Sequence, residues 1–299
     1  DILSPNQTMQ GKDSINSQPG EDLWPKENPI ADFPRGPIAG SCLHKILEQI
    51  EFDKLEDKEL ISKLIREQLR KSNINDSFND SIYNLLKRIA NLPLGCSLGK
   101  SNLKDLSKNY IIKELSFDIP ICHNTKPINT IDISSIFKQN KNSKFGIEYS
   151  QKLKELNISS SGFLTGSIDL VFSDDTSNKN AKWWVLDWKS NWLGNNYSKE
   201  DIFACGPSNY NELSMDKEMY THHYPLQAHI YLLALHRFLS WRLPGYSPQK
   251  HLGGYIYLFL RGIPDKKDII KRNYPDQIPG LIIEKAPLER IKRLDSIIR

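Results

Sequence analysis

Two short runs with a strict two-residue alternation constrain this chain more than any other feature. GFLTGSIDLVF (162–172) and KWWVLDWKS (182–190) flank the polar stretch SDDTSNKNA. Alternation rich in Phe, Ile, Val and Trp predicts β-strands, and the Ser, Asp and Asn residues between them predict a turn. Together they predict a hairpin, in which opposed positions sum to a constant. Asp169 and Asp187 have their midpoint at position 178, inside the turn. Hairpin geometry therefore sets these two carboxylates across the ladder from each other.

Side chains alternate faces along a strand. In the second run Trp183, Val185, Asp187 and Lys189 share one face, and Trp184, Leu186 and Trp188 share the other. In the first run Ile168, Leu170 and Phe172 share a face, with Asp169 opposite. A carboxylate and an ammonium in an apolar strand are costly unless they are paired or hold a ligand. Two opposed carboxylates repel, and a cation resolves the repulsion. Hard oxygen donors with no thiolate nearby favour Mg²⁺ or Mn²⁺ over zinc. With Lys189 beside them, the set suits phosphodiester hydrolysis: a metal lowers the pKa of a bound water, and the Lys orients that water or stabilises developing charge. A structural salt bridge is the competing reading of the same residues.

Around the hairpin the periodicity changes twice. Leu43, Ile46, Leu47 and Ile50 fall at helical spacing, and ELISKLIREQLRK and SIYNLLKRIANL continue the helical pattern through residue 91. NYIIKELSFDIPI (109–121) alternates as a strand, a helix is expected over 220–242 with Pro225 in its first turn, and GGYIYLFLRG (253–262) suits a buried strand. LERIKRLDSIIR closes the chain as a short helix. The order predicts an α/β fold, a mixed β-sheet flanked by helices with a helical N-terminal part. Residues 1–35, rich in Ser, Asn, Gln, Gly and Pro, read as a linker or tail, and 36–299 as one domain. The first residue is not Met, so the chain is expected to be cut from a longer protein.

Composition excludes several classes. No apolar run approaches the roughly 20 residues of a membrane span, and no basic-then-apolar leader opens the chain. The four cysteines, Cys42, Cys96, Cys122 and Cys205, have no metal-ligand spacing and read as reduced thiols in a cytoplasmic protein. A formal net charge of +4 permits a nucleic-acid partner without demanding one. No G-x-x-x-x-G-K-[ST] is present, so ATP binding and helicase activity would belong to sequence outside this chain.

GFLTGSIDLVF followed by VLDWKSNWLG resembles the nuclease domain of the RecB family, the exodeoxyribonuclease V beta subunits, within the PD-(D/E)xK restriction-endonuclease-like superfamily. DFPRGPIAGSCLHKILEQIEF resembles that family's entry helix with its His, and KELSFDIPI its first core strand. YPLQAHIYLLALHRFL resembles its Q-x-x-x-Y helix, and GGYIYLFLRG the strand after it. The resemblance implies a restriction-endonuclease-like core and a Mg²⁺-dependent deoxyribonuclease acting in double-strand break repair and foreign-DNA degradation. Mn²⁺ or Ca²⁺ would substitute in binding. It implies Asp169, Asp187 and His44 as metal ligands, with the Trp188 main-chain carbonyl completing the shell and Lys189 as the catalytic lysine. Gln227 and Tyr231 would position DNA or the catalytic groups, and Glu114 matches an acidic position of the family. DNA, RecC- and RecD-type subunits and a RecA-type recombinase are the implied partners.

Read without the resemblance, His44 beside an apolar helix stripe reads first as a structural histidine, and Gln227 with Tyr231 as an i, i+4 packing pair. His222, His223, His229 and His236 fall on different faces and read as surface or packing residues. Arg261 suits a phosphate or, more simply, a salt bridge. Two other functions fit the same sequence: a module that docks partner subunits and DNA with little cleavage of its own, and a relic that binds DNA without cutting.

Overall fold

The computed structural model describes residues 24–298 except 95–97, 99–100, 107, 122–126, 139–143, 176–180 and 195–204. Three helices come first: α1 (Pro37–Gln49), α2 (Lys58–Lys71) and α3 (Asn79–Asn91). Then follow β1 (Ile111–Ile121), the two-residue β2 (Ile128–Asn129), α4 (Thr130–Lys138), α5 (Ile147–Leu156) and the two-residue β3 (Ser159–Ser160). The predicted hairpin is β4 (Gly162–Ser173) and β5 (Trp183–Lys189). α6 (Glu212–Thr221), α7 (Tyr224–Arg242), the one-turn α8 (Pro248–His251), β6 (Leu252–Phe259), α9 (Lys266–Lys271), β7 (Leu281–Lys285) and α10 (Leu288–Ile297) complete the fold.

Five strands form a mixed sheet in the order β1-β4-β5-β6-β7, parallel only between β5 and β6. Sequence patterning anticipates this mixed α/β architecture, and it is restriction-endonuclease-like. Each face of the sheet carries its own core. Leu170, Phe172, Trp184, Leu186 and Trp188 pack with α1–α3, while Val171, Val185, Tyr255 and Tyr257 pack with α4–α7 and α10. The split follows strand alternation, which turns successive side chains of β5 to opposite layers. Central strands covered on both sides must be apolar throughout, and every residue of β6 is buried.

Four expectations change. The boundary expected at residue 35 lies too late. Ile30 and Phe33 are buried, and Asn28 donates to the Leu260 and Ile263 carbonyls. The Arg261 guanidinium, 1% exposed, donates to the carbonyls of Ile30, Phe33 and Pro34 and to that of Ser190. This segment packs as irregular chain whose main-chain acceptors are satisfied by one buried arginine, so it shows no hydrophobic period. Arg261 accordingly meets main-chain carbonyls rather than a phosphate or a carboxylate. Residues 1–23 lie outside the described residues.

The helix expected over 220–242 is two helices broken at His223, which adopts a left-handed φ of 54°. Pro225 sits in the first turn of α7, where its missing N–H costs nothing. Ile168 also departs from its expected face. It joins the α4–α7 core, whereas Leu170 and Phe172 join the other. The break falls opposite Glu114, whose φ of 50° interrupts the regular geometry of β1. Fourth, the GGYIYLFLRG strand ends at Phe259, and Leu260–Gly262 form a 3-10 turn.

Cys42 and Cys205 are free and buried, as reduced thiols would be. Cys96 and Cys122 lie outside the described residues. No described helix is long and apolar enough to cross a membrane.

Candidate active site

The β4–β5 ladder runs from Ser173↔Trp183 to Leu170↔Leu186. Each pair keeps the sum that Asp169 and Asp187 share, so these two are the next opposed positions. The register is locked near the turn, where Asp174 N–H donates to the Lys182 carbonyl at 2.9 Å and Asp174 Oδ1 accepts from Lys182 N–H at 2.7 Å. At the other end the regular ladder stops, and Asp169 Oδ2 accepts the Trp188 N–H at 2.8 Å. That bond draws the Asp169 carboxylate toward the Asp187-Trp188-Lys189 segment. The Trp188 ring itself turns to the other layer and packs on Phe52, with centroids 6.2 Å apart.

His44 reaches the site from α1. Its Nδ1 lies 3.4 Å from Asp169 Oδ1. Two anchors hold α1 in place. Near its start Gly40 lies against Ser190, and a Cβ there would meet the Ser190 Oγ at 2.9 Å. At its end the Lys113 ammonium, from β1, donates to the carbonyls of Leu47, Glu48 and Ile50. A cation there also suits the negative end of the helix dipole. Burial would push the His44 imidazole down, but the hydrogen bond and charge of Asp169, with the charge of Asp187, outweigh it and raise its pKa.

On the opposite layer α7 supplies Gln227 and Tyr231. Lys189 Nζ donates to Gln227 Oε1 at 3.0 Å, and Gln227 Nε2 donates to the Tyr231 hydroxyl at 2.9 Å. The Tyr257 hydroxyl also reaches Gln227 Oε1, at 3.1 Å. One helix face thus presents an i, i+4 pair that ties Lys189 to two tyrosines. Tyr231 is steadied by an edge-on contact with Phe117, centroids 5.9 Å apart. Lys189 and Asp187 are 8% and 4% exposed, and Nζ lies 2.5 Å from Asp187 Oδ2. The two form a close ion pair shut away from water. Burial is the main force raising the Asp187 carboxyl to about 6. Lys189 opposes that shift and the Asp169 charge adds to it.

His44, Asp169 and Asp187 are thus grouped in two pairs, His44 with Asp169 and Asp187 with Lys189. Among the described residues no three His, Cys, Asp or Glu side chains form a ready metal cage. The donors nonetheless fit a hard divalent cation: carboxylate oxygens, one of them buried with Lys189 as its close partner, and an imidazole at the rim. Glu114 faces Asp169 in the β1–β4 register, between the pairs Lys113↔Leu170 and Leu115↔Ile168. Its carboxylate accepts the Ser167 hydroxyl at 2.8 Å, and its charge, with those of Asp187 and Asp169, adds to the burial that raises the Tyr231 pKa.

No family model matches the chain. Curated proteins do. It is 31% identical over 271 residues to RecBCD enzyme subunit RecB of Haemophilus influenzae, covering 91% of this chain and 19% of that protein. It is 33% identical over 265 residues to RecBCD enzyme subunit RecB of Buchnera aphidicola subsp. Baizongia pistaciae, covering 89% and 19%. It is 32% identical over 234 residues to RecBCD enzyme subunit RecB of Escherichia coli K12, covering 77% and 17%. The chain belongs to the RecB family. It spans about a fifth of the length of the curated relatives it matches.

His222, His229 and His236, read from their spacing as surface or packing residues, make other contacts in this RecB-family chain. His229 is 1% exposed, its Nδ1 2.6 Å from the Pro225 carbonyl. His236 Nδ1 meets the Tyr246 hydroxyl at 2.8 Å, and His222 pairs with Glu218 at 3.0 Å. Pattern reading overlooked Tyr224, Tyr257 and Asn191, which surround Lys189 or its neighbours. Tyr257 lies opposite Asp187 in the parallel β5–β6 register. Its strand is apolar throughout, and parallel pairing leaves no turn from which to count, so nothing in the run marked it.

Proposed function

We propose that this chain is the nuclease segment of a RecB-type subunit, hydrolysing DNA phosphodiester bonds with a divalent metal in DNA repair and recombination. The observation that carries the reading is the hairpin register, which opposes Asp169 to Asp187 at the sheet end where Lys189 is buried. Membership of the RecB family supports it. Mg²⁺ is the cation proposed, with Mn²⁺ or Ca²⁺ as substitutes in binding. Asp169, Asp187 and His44 would hold it, with the Trp188 carbonyl beside them. When bound, it would polarise a phosphoryl oxygen and lower the pKa of water.

The chain's own groups supply the rest. Burial disfavours the Asp187 carboxylate, and a cation sharing its buried oxygens would offset that. Lys189, turned by Gln227 along the sheet end, stabilises negative charge that develops on the phosphate. Gln227 and Tyr231 fix that lysine from α7, and His44 steadies Asp169 from α1. RecC- and RecD-type subunits and a RecA-type recombinase are proposed as partners of the complete protein. The relatives' own name, RecBCD enzyme subunit, supports the first two.

The test is degradation of single- and double-stranded DNA with Mg²⁺ by wild type and Asp187→Ala. Cleavage by the wild type alone is expected, and equal cleavage by both would sink the reading.

A further inference from the structure

Lys189 is held from more directions than Asp187 and Gln227 account for. Its Nζ lies 3.9 Å from the centroid of the Tyr224 ring and 5.0 Å from that of Tyr257. Those two rings stack 5.7 Å apart at 18°, and the His222 ring stacks on Tyr224 at 5.3 Å and 20°. The Tyr224 hydroxyl is pinned as well: Asn191 Nδ2 lies 3.1 Å from it and Asn191 Oδ1 3.2 Å. Asn191 Nδ2 in turn donates to Glu218 Oε1 at 2.7 Å. The Tyr224 main-chain carbonyl accepts the Tyr257 hydroxyl at 3.0 Å. Ring, hydroxyl and backbone of Tyr224 are therefore all fixed before the lysine is added.

A lysine needs such a wall. Its ammonium is a point charge on a long flexible stem, and a single contact does not aim it. The ion pair with Asp187 attracts the ammonium, but one close partner leaves the rest of its orientation open. Gln227 supplies one directional contact. A ring face about 4 Å away, in a site largely closed to water, supplies a second through cation–π attraction.

We propose that Tyr224 is a positioning residue, whose ring face holds the Lys189 ammonium in the orientation that serves the reacting phosphate. The proposal rests on the nuclease reading for its catalytic consequence, but its geometric part stands on the ring and the lysine alone. The ring is the active element, and the hydroxyl serves only to orient it. Tyr224→Phe therefore keeps the function and Tyr224→Leu loses it.

Two measurements on the 299-residue chain decide the matter. In steady-state DNA cleavage with Mg²⁺, Tyr224→Leu should lower kcat about 10- to 100-fold with KM little changed, and Tyr224→Phe should stay within about two-fold of wild type. In NMR spectra of the metal-free protein, the Lys189 ε-methylene, assigned with Lys189→Arg, should be shifted upfield by the ring. That shift should persist in Tyr224→Phe and shrink in Tyr224→Leu to the part the Tyr257 ring supplies. Wild-type kcat in Tyr224→Leu, or equal loss in Leu and Phe, overturns the proposal. If the wild type cuts no DNA, the nuclease reading fails, and the lysine signal still judges the positioning: an undiminished shift in Tyr224→Leu overturns it. Should Tyr224→Leu fail to fold, Tyr224→Met replaces it as a ringless variant.

Discussion

Replacing Asp187 by Asn should stabilise the metal-free protein while abolishing metal-dependent cleavage. Asp187 is 4% exposed, and its carboxyl is raised from 3.8 to about 6, chiefly by burial. Because the folded state holds this proton more tightly than the unfolded chain does, ionising Asp187 at neutral pH weakens the fold. The shift of about two pKa units corresponds to a ceiling on the order of 3 kcal/mol, at about 1.4 kcal/mol per unit. Attraction to Lys189 is already counted in that shift, and Asn is nearly isosteric, so most of the ceiling should appear as a gain. The gain has a defined pH window. It should be absent below about pH 4, where wild-type Asp187 is protonated in both states, grow between about pH 4 and pH 6, and stay level above. Urea unfolding of both proteins in EDTA at pH 4 and pH 7.5 measures it. An Asn variant less stable than wild type at pH 7.5, or an equal difference at both pH values, would refute the view that Asp187 is a destabilised charge awaiting a cation.

Three further outcomes follow from the packing. His229, buried and with its pKa lowered to about 3 mainly by burial, binds a proton only in the unfolded chain over that range. Its contribution is complete above about pH 6.5 and falls by about 2 kcal/mol by pH 5, so His229→Gln should flatten that part of the wild-type unfolding profile. Arg261→Leu strands the Ile30, Phe33 and Pro34 carbonyls and should cost about 3 kcal/mol or more in urea unfolding, with residues 24–34 becoming protease-sensitive; an unchanged midpoint would contradict its role as the clasp. Gly40→Val crowds the Ser190 hydroxyl between α1 and the site and should cost about 1–3 kcal/mol, with a larger loss of cleavage than Ile38→Val on the exposed side of the same helix.

The sequence by itself determined the hairpin and, through it, the opposition of Asp169 and Asp187. Antiparallel register is local information: it follows from strand period and turn length, both of which are written in the chain. The same holds for α1–α3, where apolar spacing marks the buried stripe. What lies around Lys189 was decided only by tertiary structure. Tyr257 meets Asp187 through parallel pairing, across a long connection that carries α6 and α7, and no local rule specifies such a register. Tyr224 depends on the break at His223, a left-handed residue inside what periodicity reads as one helix. Residues 28–34 lack any period because a distant arginine, rather than their own pattern, secures them. The carboxylates were legible because two neighbouring strands oppose them. The groups that aim the lysine were not, because four separate segments had to converge before they could meet.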